Sequence, residues 1–333
     1  MKKLLLVLLI TLCLGGLMAQ MEKELKPVMA WSSFIGCTKS CSDYLGFDYS
    51  LPWISGVSGY AFLLNIDPGL CPSGPTAFDN GFMKKNLEYL GLQFEVLAFN
   101  KYEGDLKANQ KQAFEQVQKA LKAKQPVFGW ELGMPEYYLI AGADEKGYQY
   151  FDFDGSILTC PWDSVATSEI GMGEFCILSA AKAPEPREQI KNALTFFRDY
   201  QNDPQGFALE GYTMGPKAYD IWIAALKEGK FNPFGLAYNT QVWAEARNSA
   251  KAFLFEARQK LGKDKKYPAL DKAITNFGEV SDALGQVGKL YPFPPMNDKL
   301  VPENAAKAID LLNKARDAEL SGIKAVLEFA DTL

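Results

Sequence analysis

Two periodicities meet at Ala183-Pro184-Glu185-Pro186, and that junction limits the possible folds more than any composition figure does. Before it, short apolar runs alternate with turn signals. After it no strand pattern is visible, and apolar residues recur at helical spacing to the end of the chain. The stretches 127–132, 137–143, 148–153 and 175–180 read as strands, and Asp144-Glu145-Lys146-Gly147 is a hairpin turn signal, so antiparallel pairing is expected. Ahead of them 29–45, 82–90 and 109–124 read as helices and 92–99 as a strand, with Gly46 and Gly91 as helix stops. The Gly- and Ser-rich stretch from Leu51 is read as a turn, and the apolar run from Tyr60 to Ile66 is too short to separate strand from helix. Past the junction, helices are expected over 187–200, 216–228, 239–261, 267–290 and 302–330. The fold class read from this is an α+β domain with an antiparallel sheet over 20–183, followed by an all-α helical domain over 184–333.

Residues 1–19 read as a signal peptide: Lys2 and Lys3, an apolar run from Leu4 to Leu14, and a cut after Ala19. That makes the protein exported, periplasmic or extracellular. Leu12 stands where a lipoprotein signal needs a small residue before Cys13, and no later segment reads as a transmembrane span. The chain is acidic, with a net charge of −5, and has no basic run, so it lacks the electrostatic footprint of a nucleic-acid partner. A small-molecule ligand is the expected partner, and oligomeric state is not legible.

The most excluding number is zero histidines in 333 residues. It removes Ser-His and Cys-His catalysis, histidine-ligated metals and the usual near-neutral proton shuttle. Acid-base work is left to Asp, Glu, Cys, Tyr and Lys. Five cysteines follow the signal, Cys37, Cys41, Cys71, Cys160 and Cys176, so at least one is unpaired within the chain; Cys160 and Cys176 can meet if their strands are neighbours. None has zinc-site spacing, and neither a metal nor a cofactor is called for.

The element order, with "KAKQPVFGWEL", "PEYYLIAGADEKGYQYFD", "PWDSV" and "EFCILSA", resembles the papain-like fold of the bacteriocin-processing double-glycine peptidases. It looks closer to the papain-like N-terminal domain of the butirosin biosynthesis protein H family, acyltransferases that also carry a helical C-terminal region. The resemblance covers roughly residues 29 to 182. It implies a papain-like cysteine-peptidase-type domain whose nucleophile position falls near Ser33, with Cys37 one helical turn later. The histidine position falls on Glu136 and the third partner near Asp152 or Asp154. Both catalytic positions depart from the family pattern, so the fold is expected to transfer and the peptidase mechanism is not.

Two functions follow. One is binding of a small amino-containing ligand in an interdomain cleft. Glu131 and Glu136 flank one strand edge beside Trp130, Tyr137 and Tyr138, and carboxylates among aromatic faces suit a cation. Tyr60, Cys71, Tyr238, Asn239 and Arg247 are added as candidate lining residues; the plain alternative is that Arg247 and the aromatic residues are core. Glu245 and Arg247 cannot share a helix face, so at least one has a distant partner. The other function is non-peptidase acyl transfer or amide hydrolysis, with Cys37 or Cys71 as nucleophile, Glu136 as base and Asp152 as third member. Cys37 is expected at a helix start, where a thiol is acidified, with Gly36 leaving room for substrate. The plain reading of Cys37 and Cys41 is two small apolar core residues. The discriminating feature is whether a nucleophile lies within hydrogen-bond reach of Glu136.

Overall fold

The computed structural model describes residues 24–262, 265–295 and 302–333. The signal-peptide reading of residues 1–19 falls outside them. A mixed α+β region with antiparallel sheets comes first and an all-helical region follows, with the change at Pro186.

The first region opens with helices α1 (Ser33–Leu45) and α2 (Leu51–Ser58), the two-residue strand β1 (Asn65–Ile66) and helix α3 (Gly81–Leu87). Strand β2 (Leu92–Asn100) and helix α4 (Leu106–Lys122) come next. The meander β3 (Val127–Trp130), β4 (Tyr137–Asp144), β5 (Gly147–Phe151), β6 (Ile157–Cys160) and β7 (Met172–Ala180) completes it. Six strands form one antiparallel sheet in the order β2-β7-β3-β4-β5-β6. Strand β7 therefore runs between β2 and β3, with β3, β4 and β5 separating it from β6. That order corrects the pairing of Cys160 with Cys176, and all five described cysteines are free thiols.

Helix α2 is where a turn was expected. Ser50 caps it by accepting from the Trp53 N–H at 3.0 Å, and Pro52 starts its first turn. Its glycine is a packing device, because a Cβ on Gly56 would sit 2.1 Å from the Phe253 ring. Strand β6 was also missed; its Ile157 and Leu158 are exposed at the sheet edge, so no buried alternation marks it.

The helical region contains α5 (Pro186–Asn202), α6 (Ala218–Glu228), α7 (Pro233–Lys260), α8 (Pro268–Leu290) and α9 (Pro302–Ala330). Four of the five expected helices are reproduced to within two residues at each end, and α7 starts six residues early. Asn232 caps it by accepting from the Gly235 N–H at 3.0 Å. One strand interrupts a region in which none was expected: β8 (Thr213–Met214) pairs with β1 across the two regions.

The larger core does not respect the Pro186 boundary. Trp53 and Phe62 of the first region pack against Phe253, Phe197 and Phe277 of the second. A smaller core lies on the other face of the sheet beneath α4, built on Val117, Ile140, Tyr148 and Phe175. No helix among the described residues is long and apolar enough to cross a membrane.

Candidate functional site

The N-terminus of α1 meets the opening of β4 and the first turns of α7. Ser33, the first residue of α1, donates its hydroxyl hydrogen to Glu136 Oε2. The Tyr238 hydroxyl, from α7, donates to Glu136 Oε1. Ser33 Oγ in turn accepts from the Tyr137 N–H at 3.0 Å, which fixes the serine against the strand. Three elements far apart in sequence thus converge on one half-buried carboxylate.

Glu245, about two turns further along α7, is the second carboxylate here. Its Oε1 accepts from the Trp31 N–H at 2.8 Å, and the Ser32 N–H also faces it. It serves as a tertiary cap on α1, whose Ser32 makes no side-chain cap of its own. Burial pushes both carboxyls above their ordinary range. The Ser33 and Tyr238 hydroxyls draw Glu136 part of the way back, and the two backbone N–H groups do the same for Glu245. The wall is aromatic: Trp31 lies edge-on to Tyr238 at 6.2 Å and to Phe293 at 5.3 Å. Phe293 comes from the Pro-rich stretch that follows α8, so part of that stretch packs against the site.

A small crevice of about 30 Å³, room for a single water, opens beside Ser33. It is lined by Ser33, Cys37, Tyr137 and Tyr138, by Phe151, Asp152 and Phe153, and by Pro27 to Ala30.

Several expectations are corrected by these positions. Cys37 lies in the second turn of α1, not at its start, and is buried; burial and then the Glu136 charge push its thiol up, the opposite of activation. The room expected at Gly36 is filled by the chain itself, because a Cβ there would lie 2.6 Å from the Val28 carbonyl oxygen. Glu131 does not join Glu136. Its backbone is left-handed (φ 59°), its N–H donates to the Glu136 carbonyl at 2.8 Å, and its carboxylate accepts from Ser168 Oγ at 2.9 Å.

Cys71 sits in the loop after β1, bonded to Ser73 Oγ at 2.8 Å, and its carbonyl accepts from Asn239. Asn239 is fully buried and ties that loop to α7, which is a packing duty and not a lining one. Arg247 is likewise structural. It is sealed in the core with Glu319, and its guanidinium also donates to the Leu63 and Ala61 carbonyls. The prediction that Glu245 or Arg247 needs a distant partner is met by both.

Trp130 packs edge-on to Tyr137 at 5.0 Å. The Tyr137 hydroxyl points away from Ser33, donating to Glu174 at 2.8 Å and accepting from Asn80 at 2.7 Å, and Lys84 closes that network through Glu174 at 2.7 Å. Tyr60 is buried, stacked on Trp243 with centroids 5.9 Å apart, and its hydroxyl donates to the Pro75 carbonyl at 3.5 Å. Asp152 lines the crevice opposite Ser33, while its N–H closes a turn on Ser156.

No group of three or more Cys, Asp or Glu side chains among the described residues is arranged to hold a metal ion. No protein-family model matches the chain, and no curated protein matches its sequence. The site is therefore read from its chemistry: a serine hydroxyl hydrogen-bonded to a carboxylate of raised pKa, at the positive end of a helix.

Proposed function

We propose that the protein is an exported acyltransferase or acyl hydrolase on a papain-like frame, with Ser33 and Glu136 in the places of the cysteine and histidine. The observation that carries this reading is the hydrogen bond from Ser33 Oγ to Glu136. The frame is supported by the helix start facing the strand opening and by the antiparallel sheet behind them. Export rests on the sequence of the first nineteen residues.

The chemistry runs in two balanced halves. Ser33 Oγ attacks an acyl carbonyl while its proton passes to Glu136; the tetrahedral oxyanion collapses, and the leaving group departs with that proton. Water or an amine then attacks the Ser33 ester, giving its proton to Glu136, which returns it to Ser33 Oγ. Burial helps, because a carboxylate of raised pKa is the stronger base. The positive end of α1 is the group suited to the oxyanion.

A second reading is favoured by one observation: both partners of the Glu136 carboxylate are neutral hydroxyls, in an aromatic surround. Such a carboxylate suits an ammonium ligand, and the protein would then bind a small amine without turning it over.

Intact-mass spectrometry separates the two. Prolonged incubation with a fluorophosphonate is expected to add a mass that survives denaturation and maps to Ser33. Ser33→Ala abolishes it, and Glu136→Gln slows it by about 10²–10⁴-fold. An unchanged covalent mass in Ser33→Ala overturns the serine assignment. A mass gained from an amine pool under native conditions alone, with no covalent product, establishes the binding reading.

A further inference from the structure

The segment before α1 forms part of the wall of the crevice beside Ser33, and two residues of α1 hold it there. The Val28 N–H donates to Ser40 Oγ at 2.8 Å, and Ser40 is itself anchored on the Gly36 carbonyl at 3.0 Å. The Val28 carbonyl oxygen occupies the space where a Cβ on residue 36 would be, so the segment's approach requires glycine there. One turn apart on α1, Gly36 and Ser40 therefore read a single residue of extended chain at both its backbone polar groups. Pro27, Val28, Met29 and Ala30 line the same crevice as Ser33, Cys37 and Asp152. The far end of the segment is tied down at Trp31, whose N–H donates to Glu245.

We propose that residues 27–30 are a cis-bound plug, seated in a track that recognises extended polypeptide and leads to Ser33, so that an acyl substrate enters only when the plug lifts. The recognising groups are backbone-directed: a hydroxyl acceptor for an N–H and a bare Cα for a carbonyl. A peptide or peptidyl acyl group meets that chemistry in the same way as the plug does. What the plug guards rests on the Ser33 reading above; that it fills a liftable track does not.

The test uses full-chain variants that disturb the seat and leave Ser33 and Glu136 intact. Gly36→Ala drives a Cβ against the Val28 carbonyl, and alanine is the better helix residue, so the fold is expected to hold. Ser40→Ala removes the Val28 tether. Three quantities are read: amide exchange in residues 24–31, labelling of Cys37 by methyl methanethiosulfonate, and labelling of Ser33 by a fluorophosphonate. Faster exchange with Cys37 labelling raised by about tenfold or more in both variants supports the plug, since local opening controls both. Adding the peptide of residues 24–31 to Gly36→Ala is expected to slow Cys37 labelling again. Exchange and Cys37 labelling that match the wild type in both variants overturn the plug, whatever Ser33 does. If both rise while Ser33 stays silent, the plug stands and the serine reading fails. If the peptide gives no protection, the recognition of extended chain fails.

Discussion

Two carboxylates, Glu136 and Glu319, sit under nearly the same local chemistry and have opposite roles. Each accepts a tyrosine hydroxyl, from Tyr238 and Tyr219 respectively. Glu319 is 2% exposed and faces a guanidinium: Arg247 Nε reaches it at 2.8 Å and Nη2 at 2.6 Å. Its charge is paired with that guanidinium and both its oxygens accept hydrogen bonds. Among the described residues the Glu136 carboxylate has two hydroxyl partners and no cation, and one of those partners, Ser33, lines the crevice. The cation separates a buried acid that holds helices together from one whose charge is left available.

The comparison breaks most visibly at Arg247. Arg247→Ala leaves Glu319 buried without its cation and orphans the Leu63 carbonyl, so a loss of about 3–5 kcal/mol is expected in chemical denaturation. A loss near zero would mean that Glu319 is no more committed than Glu136.

Glu136→Gln sharpens the contrast through pH. The folded carboxyl of Glu136 is raised above its unfolded value, so between the two the folded state holds the proton more tightly. The stability of the wild type relative to Glu136→Gln should therefore be greatest below the unfolded value near ~4.3 and fall as pH rises through the folded value, with a plateau above it. Paired denaturation curves from pH 4 to pH 8 measure this. A difference that grows with pH would mean that the acid is stabilised in its charged form, as a salt-bridged one is.

The smallest effect is expected from Tyr238→Phe. It removes a donor that favours the ionised form, so the carboxyl moves further up and the midpoint for Ser33 labelling shifts to higher pH by up to about one unit. An unmoved midpoint would remove Tyr238 from the site.

Much of this was legible before any coordinates. The helices of the second half announce themselves by periodicity and by proline at their first turns, and the β4–β5 hairpin by Asp144 to Gly147. Helix α2 hides behind glycine and serine, because its stability comes from a cap and from a ring pressed on Gly56, neither of which is a pattern in the chain. Strand β8 is two residues long and cannot show a period. Within the site, Glu136 and Tyr238 stand out by position and type. Glu245 was marked only as one of two residues of which at least one needs a distant partner; which partner it takes was not legible, since its contact with Trp31 spans 214 residues. Glu131 misleads for the opposite reason: it is close to Glu136 in sequence, and only its left-handed backbone sends its carboxylate elsewhere. Ser33 was marked only as an expected position, and its duty became visible once β4 was placed against α1.

The core shared across Pro186 also has a consequence in time. Synthesis delivers the first region well before its cover: at about 5–20 residues per second, the last ~150 residues take roughly 10–30 s to emerge. Within that interval the partner strand of β1, β8, emerges first, and Trp53 and Phe62 wait longer, for Phe253 and Phe277. The nascent chain thus carries an uncovered apolar face on the ribosome for longer than a small domain takes to fold.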